Sequence, residues 1–114
     1  MIQLEITSPI SLHMLKPDSR RALVAACRAA LDAQGITRLE RRIYRVEWVL
    51  YGPWLTAAGR PTENNTDNWT KPLADALAEA GGLGKRGRGD QFFDRDYSVR
   101  AVDSDVMRAC ITLF

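Results

Sequence analysis

The fold is decided by residues 65–77, which read NTDNWTKPLADAL. At 3.6 residues per turn, a helix over this stretch separates a polar stripe from an apolar stripe. The polar stripe consists of Asp67, Lys71 and Asp75, and the apolar stripe consists of Trp69, Leu73, Ala76, Leu77 and Ala80. The spacing therefore predicts an amphipathic helix whose exposed face carries one ammonium group between two carboxylates.

The polar stripe has two interpretations. A lysine between carboxylates at i, i+4 spacing is common on solvated helices and stabilises them by only about 0.2–0.5 kcal/mol per pair. However, side-chain oxygens are dense where the helix begins, and such oxygens suit either a hard cation or an N-cap. These oxygens belong to Glu63, Asn64, Asn65 and Asp67. Pro72 disfavours helical geometry at Lys71, so we expect a first turn that is irregular or starts late.

The spacing also resembles the RusA family of Holliday junction resolvases. The family pattern reads Asp-x-Asp-Asn-x-x-Lys-(x)3-Asp-x-Leu, followed by an acidic pair just before a Val-rich strand. The matching positions here are Asn65, Asp67, Asn68, Lys71, Asp75, Leu77 and, within FFDRDYSV, Asp96. Two positions depart from the pattern, because Asn65 stands where the family has aspartate and the acidic pair is split as Asp94-Arg95-Asp96.

This resemblance implies a Mg2+-dependent, structure-selective DNA endonuclease that resolves Holliday junctions in DNA recombination and repair, with Mn2+ as a substitute ion. It implies that the partners are four-way branched DNA and a second copy of the chain in a homodimer. The implied catalytic residues are Asp67, Lys71 and Asp96, and the implied metal ligands are Asn65, Asp67, Asp94 and Asp96. A carboxylate-bound Mg2+ suits phosphodiester hydrolysis, because it activates water and acts as a Lewis acid.

Asn65 leaves two outcomes open. An amide in place of a carboxylate still offers a carbonyl oxygen but removes a negative charge, which weakens the binding of Mg2+. Either Asp94 or Glu63 restores this charge, or the protein is a branched-DNA-binding module that cuts poorly or not at all. Asp75 either holds Lys71 in place or is a solvated helix residue.

Residues 81–89 read GGLGKRGRG and form a glycine-rich basic segment. A nucleotide-binding P-loop requires glycine where Glu79 stands and serine or threonine where Arg86 stands, so we reject a nucleotide cofactor. The segment is either a flexible connector or a basic loop that follows a phosphate backbone. On the second interpretation, Lys85, Arg86 and Arg88 are predicted to bind DNA. Lys71, outside this segment, is also predicted to bind DNA, because its ammonium group would place a point charge on the scissile phosphate.

Alternation and helical spacing predict the remaining elements. Residues 1–7 alternate as a strand, and a helix begins at Pro17 and ends before Gly35 as the C′ residue. A strand of about ten residues precedes Gly52, another covers residues 91–102 with Asp94 and Asp96 on one face, and the last covers residues 107–113. This order predicts an α+β domain in which two helices cover one face of a small mixed sheet.

The composition sets broader limits. A chain of 114 residues with 46% hydrophobic and 26% charged residues is expected to form a single domain over residues 1–114. A net charge of +2 does not by itself predict a nucleic-acid partner. Cys27 and Cys110 match no zinc spacing and are predicted to be buried reduced thiols. No signal or membrane-spanning segment is evident, so we expect a cytoplasmic protein without a membrane partner.

Overall fold

A four-stranded mixed sheet with helices on one face forms the framework of the protein. The structure, a computed structural model, describes residues 1–7, 15–84 and 88–114. The elements are β1 (Ile2–Ile6), α1 (Pro17–Asp32), β2 (Arg45–Gly52), α2 (Asp67–Ala80), α3 (Gly89–Phe93), β3 (Asp96–Asp103) and β4 (Arg108–Leu113). The strand order is β1-β4-β2-β3, with β3 parallel to β2 and the other pairs antiparallel. The α+β class and the mixed sheet are thus confirmed, and α3 is an additional helix.

The ends of α1 follow from its sequence. Pro17 occupies the first helical position, where the missing N–H has no intrahelical partner to lose. At the other end, the Ile36 N–H donates to the Leu31 carbonyl at 3.0 Å and the Gly35 N–H donates to the Asp32 carbonyl at 2.9 Å. Gly35 has a φ of 70°, so these bonds form a Schellman motif with Gly35 at C′, as predicted.

The burial of α2 confirms its predicted stripes. The five predicted apolar residues, Trp69, Leu73, Ala76, Leu77 and Ala80, are all buried. Asp67 and Lys71 are exposed, while Asp75 is partly buried. The helical spacing therefore identified both faces of α2, and the partial burial of Asp75 is the one feature it did not anticipate.

The first turn of α2 contains a 3-10-type hydrogen bond, and the helix does not start late. The Trp69 N–H donates to the Thr66 carbonyl at 3.0 Å, an i to i−3 bond of the 3-10 type. The Asn65 Oδ1 accepts a hydrogen bond from the Asp67 N–H at 2.9 Å, so this amide side chain caps the start of the helix. Pro72 lies inside α2, which nevertheless begins at Asp67.

The core lies between one face of the sheet and the helices. Val46, Trp48 and Leu50 alternate as the buried residues of β2, as the sequence predicts. Cys27 of α1 is fully buried among them, and burial raises the pKa of its thiol to about 12, so the thiol stays protonated. Cys110 is only partly buried, so the prediction of two buried thiols holds for Cys27 alone.

Within residues 1–7, 15–84 and 88–114, no helix is long and apolar enough to cross a membrane.

The prediction of a strand over residues 91–102 is wrong in its first half. Residues 89–93 form the short helix α3, Asp94 is its C-cap, and β3 begins only at Asp96. Phe92 and Phe93 are both buried, which neighbouring residues of a half-buried strand cannot achieve because their side chains point to opposite faces. Asp94 and Asp96 therefore do not share one face of a strand.

Candidate functional site

A cavity of about 300 Å3 opens between α2, α3 and β2. Five polar residues, Thr70, Lys71, Asp75, Asp90 and Asp94, line it together with Trp48, Ala74 and Phe93. We name it the acidic cavity. One ammonium group and three carboxylates thus line the same cavity as Trp48 and Phe93, and these four charges come from α2 and from α3 with its C-cap residue.

The structure brings together only part of the predicted site. Lys71 and Asp94 line the acidic cavity, whereas Asn65, Asp67 and Asp96 are not among its lining residues. Asp67 lies one turn before Lys71 on the same exposed face of α2. Within the described ranges, no three aspartate, glutamate, histidine or cysteine side chains are close enough together to hold a metal ion. Asp67, Asp94 and Asp96 therefore do not form such a group in the described residues.

Asp96 lies away from this cavity. In the parallel pairing, Asp96 is opposite Arg45 and Tyr97 is opposite Val46. Because Val46 points into the core, the alternation of β3 places Asp96 on the sheet face that the helices do not cover. The expectation that Asp67 and Asp96 meet across one ion has no support in this arrangement, and the catalytic role of Asp96 stays a prediction.

The predicted basic segment is only partly described. Lys85 and Arg86 lie outside the described residues, so their assignment to DNA binding stays a prediction. Arg88 is exposed directly before α3 and lines a second cavity of about 630 Å3 on the other side of that helix.

Asp90 is the cavity residue that the sequence interpretation missed. Asp90, Phe93 and Asp94 are spaced at i, i+3 and i+4, so all three reach the same side of α3. The interpretation began a strand at Gln91 and therefore left Asp90 in the preceding loop. The sequence signal that could have revealed α3 was Asp90 followed by the adjacent large apolar residues Phe92 and Phe93. This pattern is compatible with a helical turn but not with a half-buried strand.

Asp75 and Gly89 join α3 to α2. The Gly89 N–H donates to Asp75 Oδ1 at 3.0 Å, so this carboxylate accepts the first amide of α3. Burial raises the pKa of the Asp75 carboxyl; the Gly89 N–H opposes this shift, nearby Asp90 reinforces it, and Arg20 opposes it. A Cβ at Gly89 would overlap the backbone of Ala74 and Asp75, so glycine permits the close approach of the two helices.

We expect Gly89→Ala to displace α3 and lower the free energy of unfolding by about 1–3 kcal/mol, as overpacking in a close contact does. The added methyl group meets backbone rather than a flexible side chain, so the contact cannot relax locally. Chemical denaturation measures the stability, and amide exchange over residues 89–93 measures the displacement. Gln91→Ala on the exposed side of α3 is the control. Equal stability of both variants would show that the contact is unimportant.

We expect the effect of Asp75→Asn on the free energy of unfolding to depend on pH. The substitution should be more favourable to stability at pH 7 than at pH 3. A carboxyl whose pKa is raised by folding contributes stability below its unfolded pKa and loses it as the pH rises through the folded pKa. The amide keeps an oxygen acceptor for the Gly89 N–H but cannot ionise. Thermal melting between pH 3 and pH 8 measures the difference, with Asp105→Asn in an exposed turn as the control. A difference that does not change with pH contradicts this account.

The acidic cavity fits Mg2+ in the chemistry of its donors. Mg2+ prefers oxygen ligands and is often held by one or two carboxylates with water and substrate phosphates completing its shell. Asp90 and Asp94 are exposed carboxylates of this kind, and Asp75 keeps one oxygen beyond its bond to Gly89. Comparison with known proteins adds no identification, since no family model matches the chain and a search of curated proteins found no match.

Proposed function

We propose that the protein is a Mg2+-dependent endonuclease that hydrolyses phosphodiester bonds in branched DNA, acting on four-way junctions in recombination and repair. The observation that carries this proposal is the meeting of Lys71 with the carboxylates of Asp75, Asp90 and Asp94 in one cavity. The resemblance of residues 65–77 to the RusA pattern supports the choice of branched DNA as the substrate. Asp90 here takes the part that the sequence interpretation gave to Asp96.

Each side chain has a distinct role in this proposal. Asp90 and Asp94 would hold the ion, and Mg2+ when bound would supply a Lewis acid and a water of lowered pKa. Lys71 places a positive charge beside the scissile phosphate, where negative charge increases in the transition state. Asp75 keeps α3 against α2 through Gly89 and so maintains the position of Asp90 relative to Lys71. Asp67 lies one turn before Lys71 and does not line the cavity, so its role as a metal ligand stays a prediction.

A homodimer is part of the proposal. β3 is an edge strand of the described sheet, and most of its residues are exposed, with a fractional exposure of 46% at Tyr97. An edge strand presents unpaired backbone groups to a second chain. A dimer would also supply two cavities for the two strands that a four-way junction requires to be cut.

A second candidate is a branched-DNA-binding module that cuts poorly or not at all. The observation that favours it is that no three candidate ligands are grouped within the described residues, while Asn65 is already engaged in capping α2. On this alternative, the exposed arginines bind phosphates and the carboxylates of the cavity are structural.

Cleavage assays on three substrates separate the two candidates. A labelled four-way junction, a linear duplex of the same sequence and a single strand are incubated with the protein in Mg2+, in Ca2+ and in EDTA. The proposed function predicts cleavage of the junction in Mg2+ alone and selective binding in Ca2+. Selective binding without cleavage in Mg2+ or Mn2+ identifies the binding module, and the absence of both rejects the two candidates together.

A further inference from the structure

The cavity on the far side of α3 is lined by positive charge. Its volume is about 630 Å3, and its charged lining residues are Arg20, Arg41, Arg88 and Glu79. We name it the basic cavity. The three guanidinium groups come from α1, from the segment before β2 and from the residue before α3, so only the fold brings them together.

The three arginines differ in their electrostatic balance. Arg20 forms an ion pair with Glu79 at 2.6 Å, and both side chains are largely buried, so this pair is a neutral part of the wall. Arg41 lies over the Phe92 ring with its guanidinium carbon 5.8 Å from the centroid, and Arg88 donates to the Gln91 side-chain oxygen at 3.4 Å. In the described part of the chain, neither Arg41 nor Arg88 has a carboxylate within ion-pair distance.

The side chains of Arg41 and Arg88 therefore present two uncompensated positive charges around one concave surface. Both arginines are exposed, yet each has a contact that restricts its side chain. A guanidinium group offers several N–H donors in a planar fork that matches the oxygens of a phosphate. The chemical class of ligand that this surface recognises is thus a phosphate group.

α3 separates the basic cavity from the acidic cavity. Asp90 and Phe93 line the acidic side of this helix, whereas Gln91 lines the basic side. A helix with its side chains is about 10 Å across. A strand that passes over α3 would therefore place different phosphates in the two cavities.

We propose that the basic cavity binds a backbone phosphate of the DNA strand whose scissile phosphate lies in the acidic cavity. This inference rests on the proposed function and assigns Arg41 and Arg88 to the positioning of the strand. α3 then acts as a ridge between the two phosphates, with Asp90 on one side and Gln91 on the other.

The test combines charge removal in the protein with charge removal in the DNA. Arg41→Gln and Arg88→Gln, singly and together, are compared with Arg100→Gln, an exposed cation on β3. Binding to the junction is measured in Ca2+ at several salt concentrations. We expect the double variant to bind at least tenfold more weakly at low salt and to reduce the salt slope by about 1, which corresponds to one lost phosphate interaction. We expect the Arg100→Gln control to bind the junction as the wild type does.

A second arm locates the phosphate. Single neutral methylphosphonates are placed at one to six nucleotides on either side of the cleaved bond. One of these positions should weaken binding by the wild type but cause no further loss in the double variant, because the two changes remove the same interaction. Additive losses at every position would overturn the inference, and so would unchanged binding and salt slope in the double variant. If the wild type still cleaves the junction in either case, the proposed function remains intact. A wild type that neither binds nor cuts the junction overturns both.

Discussion

Asp90→Asn is expected to reduce junction cleavage in saturating Mg2+ by about 100-fold to 1,000-fold, because it removes a carboxylate proposed to hold the ion that stabilises transition-state charge. The substitution keeps the size of the side chain but removes a negative charge from the acidic cavity. Because Asp90 is exposed, the variant should fold normally, and thermal melting verifies this. Initial rates at several Mg2+ concentrations measure the effect.

Asp96→Asn and Asp105→Asn are the matched comparisons for Asp90→Asn. The three are exposed aspartates, but only Asp90 lines the acidic cavity. Because Asp90 lines the acidic cavity, we expect cleavage to be lost in Asp90→Asn and largely retained in Asp96→Asn. The reverse result would restore the sequence-based assignment of Asp96 and would remove α3 from the active site.

Lys71→Ala is expected to lower turnover by about 100-fold or more, because the ammonium group acts on charge that increases in the transition state. Binding to the junction in Ca2+ should fall much less, since one phosphate interaction among several is lost. Lys71 is exposed on α2, and alanine is a good helix former, so stability should be preserved. Single-turnover rates at saturating DNA separate the chemical step from binding.

Arg60→Ala is the control for Lys71→Ala, because Arg60 is an exposed cation in the loop before α2 and does not line the acidic cavity. Its turnover should equal that of the wild type. If Lys71→Ala has normal turnover but binds the junction weakly, Lys71 only contacts a phosphate. That result would reject the proposed role of Lys71 in the chemical step.

The sequence predicted the elements whose periodicity is long and regular. α2 and β2 have buried stripes that helical spacing and alternation identify directly, and Gly35 marks the end of α1. α3 escaped prediction because a helix of five residues contains too little periodicity to be recognised. Its position depends on the close contact of Gly89 with the backbone of α2, which is a tertiary feature.

The candidate site was predictable to the extent that it lies on α2. Lys71 was identified from the polar stripe, and Asp94 was identified from the acidic pair, although in the wrong type of element. Asp90 became a candidate only when α3 placed it beside Lys71. The basic cavity could not be predicted from charge patterning, because Arg20, Arg41 and Arg88 belong to three distant segments.

The most direct test of the central claim is the position at which the protein binds a divalent ion. Mn2+, which broadens the NMR signals of nearby amides, is titrated into the 15N-labelled protein without DNA. The account predicts selective broadening at residues 70–75 and 89–94, the two segments that form the acidic cavity. Broadening centred on Asn65 and Asp96, or no selective broadening at an ion concentration that supports cleavage, would contradict it.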